Sequence, residues 1–114
     1  MKIQTANRDD IHILELSGEL DYHSSPELRE KLNELTGKQT SKILIDLRGV
    51  DYMDSSGIAT FVEAFQKTKR YQGRLILAEL TTTVRGVFEI AKLDSIFEIT
   101  KTMDEAFEHF TSKV

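Results

Sequence analysis

The sequence predicts an α/β fold in one domain: a mostly parallel central sheet of four to five strands with helices packed against it. Two short stretches, residues 43–45 and 75–78, are apolar without interruption, as expected of strands covered on both faces. Four other segments repeat apolar residues at spacings of three and four, which places them along one helical face. The two kinds of segment alternate along the chain, the pattern of a parallel sheet with helical connections.

The elements follow in order. Residues 3–7 suit an edge strand pairing with the next, residues 11–18, whose Ile11, Ile13, Leu14 and Leu16 largely alternate with polar residues. Leu28, Leu32 and Leu35 mark the first helix, and Ser24, Ser25, Pro26 and Glu27 before them offer a capping hydroxyl, a first-turn proline and a carboxylate. After the strand at 43–45, a short connection leads to a second helix carrying Ile58, Phe61, Val62 and Phe65. The strand at 75–78 precedes a third helix with Val84, Val87, Phe88 and Ala91 on one face. A short strand at 97–100 and a last helix with Met103, Ala106, Phe107 and Phe110 complete the chain, the latter opened by Thr102 and Glu105 at capping-box spacing. Helical spacing makes Phe61, Phe65, Phe88, Phe107 and Phe110 core residues.

Composition narrows the function. The 114 residues suit one core and are too few for two. Without cysteine there is no disulfide, no thiolate nucleophile and no thiolate-held metal. A net charge of −4 repels a phosphate backbone, so no direct nucleic-acid partner is expected. No run approaches the ~20 apolar residues of a membrane span, and the first residues lack the pattern of an export signal, which points to a cytoplasmic protein. The stretch from Leu35 to Thr40 fails the nucleotide-loop pattern twice, since Leu32 stands where glycine is needed and Gln39 follows Lys38. Met53 to Gly57 does not match a hydrolase nucleophile turn. His12, His23 and His109 fall in separate elements, so no metal site and no catalytic residue is expected.

The most informative stretch runs from Leu44 to Ala59, out of a buried strand and into an amphipathic helix. Asp54 or Ser55 can be an ordinary helix cap, a role worth roughly 0.5–2 kcal/mol. A hydroxyl at a helix start is also where a phosphate has the largest local effect, adding about −1.5 to −2 charges to a small surface.

Tyr52, Met53, Asp54, Ser55, Ser56, Gly57 and Ile58 resemble the phosphorylation signature of the bacterial anti-sigma factor antagonists of the STAS family. The similarity extends over nearly the whole chain. Gly18, Glu19, Leu20 and Asp21, followed by Pro26, Glu27 and Leu28, resemble the family's strand-loop-helix opening. The strand at 42–47 lies at the family's distance before the signature, and Val84 to Phe88 resemble its third helix.

The resemblance implies a STAS-type single domain over residues 1–114, a binding protein and not an enzyme, needing no cofactor. In the implied cycle the unphosphorylated protein binds an anti-sigma factor and so frees a sigma factor. That anti-sigma factor is commonly also an ATP-dependent serine kinase, which phosphorylates Ser55 and ends the complex, and a metal-dependent serine phosphatase restores it. The resemblance assigns the partner-binding surface to Asp21, Tyr22, Asp54, Ser56, Gly57, Ile58 and Ala59. Two departures stand out: Ala59 replaces a common glycine, and Ala91, Lys92 and Leu93 replace a glycine-containing turn, which reads as a changed helix ending. The alternative is a STAS adaptor or structural subunit of a transport or signalling assembly, never switched by phosphate.

Overall fold

A computed structural model describes residues 1–111; residues 112–114, the end of the expected domain, lie outside the described residues. The elements run β1 (Lys2–Arg8), β2 (Ile11–Leu20), α1 (Ser25–Gly37), β3 (Lys42–Met53), α2 (Ser55–Arg70), β4 (Arg74–Ala78), α3 (Thr82–Ile90), β5 (Glu98–Thr100) and α4 (Met103–Thr111). The five strands lie side by side in chain order, β1-β2-β3-β4-β5. Only the β1–β2 hairpin is antiparallel; the other three pairs are parallel. This is the α/β architecture expected, with the predicted edge strand at β1.

Side-chain alternation divides the core between the two faces of the sheet. Leu14, Ile43, Ile45, Leu75 and Leu77 point to one face, where they meet Leu28, Leu32 and Leu35 of α1, Phe61 and Ala64 of α2, and Val84 and Phe88 of α3. Ile11, Ile13, Leu44, Ile76 and Ala78 point to the other, covered by Ala106 and Phe110 of α4. Both faces of β2, β3 and β4 are therefore apolar at their centres, which explains the uninterrupted runs in β3 and β4. Among the described residues no helix is long and apolar enough to cross a membrane.

The sequence placed a short connection after residue 47, but β3 continues to Met53 and leaves Asp54 alone between strand and helix. The reason lies in the register with β2. Glu15 opposes Asp46 while Ser17 opposes Gly49, and Gly18 opposes Val50 while Glu19 opposes Tyr52, so β3 carries one extra residue at each of two bulges. Burial then recurs at Leu47, Val50 and Met53, every third residue, with Arg48, Gly49, Asp51 and Tyr52 exposed. No period-two pattern survives to mark this half as a strand. At the first bulge the chains nearly touch: a Cβ on Gly49 would lie 2.7 Å from Ser17 Cβ.

Two helix ends also differ from expectation. The Ser24 hydroxyl does not cap α1; it donates to the Glu19 carbonyl at 2.8 Å and accepts from the Asp21 amide at 3.0 Å. The Asp21 carboxylate accepts from the amides of His23 at 2.9 Å and Ser24 at 3.1 Å, holding the turn that leads into the helix. Ala91 leaves the packing face because α3 stops at Ile90. Lys92 there takes a left-handed conformation (φ 59°), and the amides of Lys92 and Leu93 donate to the carbonyls of Glu89 and Phe88. This closes the helix as glycine would, and so accounts for the departure at 91–93.

The start of α4 has two sources of capping. Thr102 Oγ1 accepts from the Glu105 amide at 3.1 Å, as its spacing predicts, while the Glu105 carboxylate reaches Lys101 N at 3.0 Å. Glu79, just beyond β4, accepts from the Met103 amide at 2.9 Å and pairs with Arg48 at 3.1 Å. The Met103 N–H, and after it Arg48, hold the Glu79 carboxyl below the usual glutamate range.

Two outcomes test this packing. Phe61 is fully buried, and Phe61→Ala is expected to lower stability by about 3–5 kcal/mol, read from denaturant midpoints. Because the Glu79 pKa is lowered by folding, its contribution is present above the unfolded-chain value and lost as pH falls through the folded one. The wild type should exceed Glu79→Gln in stability near pH 7, with the gap closing below about pH 4 in denaturation series.

Candidate functional site

The parallel strands deliver their C-terminal ends to one edge of the sheet, and there β2 and β3 finish together with Leu20 opposite Met53. The Asp54 amide donates to the Leu20 carbonyl at 3.2 Å, joining the loop after β2 to the start of α2. Asp54 is extended (φ −111°, ψ −171°), and its carboxylate accepts from the Ser56 amide at 2.8 Å. Its own carbonyl accepts from the amides of Gly57 at 3.1 Å and Ile58 at 3.3 Å. The cap left open between Asp54 and Ser55 is thus Asp54.

That assignment frees Ser55. It is the first residue of α2, exposed, and takes no part in the capping bond. One helical turn on, Ala59 is exposed on the same side. Ser56 and Ile58 are half-buried, Ser56 accepting from Thr60 Oγ1 at 2.9 Å through its carbonyl and Ile58 packing against the core. Gly57 is buried, and a Cβ there would lie 2.8 Å from both Leu20 Cγ and Met53 Cγ. Gly57 therefore belongs to the foundation of the site, with no surface to offer a partner.

Across the Leu20–Asp54 bond stands the loop of residues 21–24. Asp21 is half-buried with its carboxylate engaged by the loop amides described above, and the Ser24 and His23 amides hold its pKa below the usual aspartate range. Tyr22 is 66% exposed, its ring tilted by 39° against that of His23 at 4.2 Å between centroids. The structure thus brings Asp21, Tyr22, Asp54, Ser55, Ser56, Ile58 and Ala59 to one edge. Sequence reasoning missed the internal duty of Asp21, although an aspartate can hydrogen-bond the backbone two residues on. Tyr52, outside the residues that the resemblance assigns to the partner, is 46% exposed beside the second bulge. The Thr81 hydroxyl, which accepts from Val84 N at 3.3 Å to cap α3, donates to the Val50 carbonyl at that bulge at 3.2 Å.

The STAS domain model matches residues 2–106, almost the whole described chain. The chain belongs to the STAS domain family. This STAS domain is 36% identical over 100 residues to the anti-sigma-B factor antagonist of Listeria monocytogenes, covering 87% of this chain and 88% of that one. With the anti-sigma-B factor antagonist of Bacillus subtilis it shares 39% identity over 93 residues, 82% of this chain and 84% of the other. Among solved structures, an anti-sigma factor antagonist from Mycobacterium paratuberculosis superposes with a TM-score of 0.90 at 20% identity, over 97% of this chain and 94% of that chain. The Bacillus cell fate determinant SpoIIAA in its phosphorylated form gives a TM-score of 0.75 at 24% identity, over 96% and 99% of the two chains.

The close approach at Gly57 has a measurable consequence. Alanine improves helix propensity by about 1 kcal/mol in an open position, yet at residue 57 the added methyl must displace Leu20 and Met53. Gly57→Ala is expected to lose about 1–2 kcal/mol net. Gly86→Ala in α3, where nothing lies within 4 Å of the new Cβ, should gain about 0.5–1 kcal/mol. Paired thermal and urea denaturation of the two variants reads the difference in sign.

Proposed function

We propose that this STAS domain is an anti-sigma factor antagonist that binds its anti-sigma factor when unphosphorylated and is switched off by phosphorylation of Ser55. The observation that carries the reading is the division of labour at the start of α2: Asp54 caps the helix while the adjacent Ser55 hydroxyl stands exposed. A kinase can therefore reach the acceptor without unfolding the helix. The names of the relatives from Listeria and Bacillus supply the partner class.

The mechanism follows from where the charge would go. The Ser56 amide is already bound to the Asp54 carboxylate, and the Gly57 and Ile58 amides to the Asp54 carbonyl. A phosphate on Ser55 would find those first-turn donors engaged and a carboxylate next to it, so its charge would project outward. About −1.5 to −2 charges then face any partner whose surface fits a neutral hydroxyl. Asp21 and Tyr22 across the Leu20–Asp54 bond, and Ser56, Ile58 and Ala59 along the helix, form the contact surface in this reading, with Gly57 setting the height of the helix beneath them. The anti-sigma factor is the serine kinase, and a serine phosphatase resets the cycle.

The variants Ser55→Ala and Ser55→Asp test the switch. Ser55→Ala should retain stability within about 0.5 kcal/mol and bind the partner, but take up no phosphate from kinase and ATP, as read by mass spectrometry. Ser55→Asp should bind at least about tenfold more weakly by calorimetric titration, a change of ~1.4 kcal/mol, with its circular dichroism unaltered. Equal affinity of wild type, Ser55→Asp and phosphorylated protein would overturn the switch.

A further inference from the structure

Among the described residues four large apolar side chains are exposed, and two of them, Tyr22 at 66% and Tyr52 at 46%, belong to the edge that carries Ser55. The other two, Ile90 and Ile96, flank the end of α3. Tyr22 lies two residues beyond Leu20 and Tyr52 two residues before Asp54, the pair joined by the hydrogen bond that closes the site. Tyr52 also opposes Glu19 on the neighbouring strand. Both residues are therefore tied to the same junction, Tyr22 in the loop after β2 and Tyr52 near the end of β3.

The exposure of Tyr52 is built into the strand. Regular alternation after Val50 would place Tyr52 on the buried side; the bulge inserts Asp51 and turns both Asp51 and Tyr52 outward while Met53 returns to the core. The Thr81 hydroxyl holds the Val50 carbonyl at 3.2 Å, so the distortion is fixed from α3. A tyrosine ring held in water by such a device is a large, rigid contact surface that loses little conformational freedom on binding.

We propose that Tyr22 and Tyr52 are the apolar anchors of the partner interface, and that they dock onto an aliphatic patch of the anti-sigma factor with a neutral or basic rim. This rests on the reading of Ser55 above and names the surface chemistry of its partner. Charge decides among occupants. Glu19, Asp21, Asp51 and Asp54 surround the two rings along the chain, so a second copy of this chain meeting the same edge would oppose carboxylates to carboxylates. An interface reaching from the rings to Ser55 would strip water from residue 55, which a hydroxyl tolerates and a dianion does not, in keeping with the proposed switch.

The test is calorimetric titration of the full chain against the anti-sigma-B factor of Bacillus subtilis as probe. Tyr22→Ala and Tyr52→Ala should each weaken binding by about tenfold or more, Tyr52→Phe should retain affinity within about threefold, and Ile90→Ala, at the far end of α3, should change nothing. Circular dichroism and urea midpoints check that each variant is folded. Wild-type affinity in Tyr22→Ala and Tyr52→Ala, with Ser55→Asp still binding about tenfold or more weakly, would overturn the anchors and leave the switch standing. Binding of the probe equally by wild type, Ser55→Asp and the tyrosine variants would remove both readings. A dimer of the wild type in sedimentation equilibrium, dissociated by Tyr22→Ala or Tyr52→Ala, would assign the surface to a second copy and overturn the proposal.

Discussion

The absence of one side chain sets the geometry of the site. Gly57 lets the first turn of α2 settle onto Leu20 and Met53 with no room for a methyl group, and this contact brings the helix start level with the ends of β2 and β3. The hydrogen bond from Asp54 to Leu20 and the cap from Asp54 to Ser56 both depend on that height. Raising the helix by even a fraction of a van der Waals radius would lengthen the one and misalign the other, since interiors packed at crystal density transmit displacement.

The bulges in β3 do complementary work from below. Each adds a residue to β3 relative to β2, so the two strands finish in register at Leu20 and Met53 although β3 has spent two more residues to arrive. The extra length emerges as an exposed stretch through Asp51 and Tyr52, pinned by Thr81. Strand, helix and loop thus meet at a junction tied by the bonds of Asp54, while the Tyr22 and Ser55 side chains remain exposed beside it.

Much of this was legible in the sequence because the relevant signals are local and periodic. The three leucines of α1, the Phe61 stripe of α2 and the apolar runs at 43–45 and 75–78 report burial directly, and the element order followed from them. The second half of β3 was not legible, because bulges convert a period of two into a period of three and Gly49 looks like a turn. Ser24 was misread because its hydroxyl serves the preceding loop, a contact with Glu19 that depends on how the chain folds back. Ser55 and Asp54 were visible as a helix start; their division of labour was not, since either residue type can cap. Glu79 carries no motif, and its role needs β3, β4 and α4 assembled together.

Having Asp54 as the cap makes residue 55 dispensable for folding. A position with no architectural duty can change at little cost to the domain, so the proposed acceptor could be removed while the scaffold stays the same. In the proposed switch, then, the signalling letter is written on a page whose binding does not depend on it: one substitution at residue 55 would trade regulated for unregulated binding and leave the fold untouched.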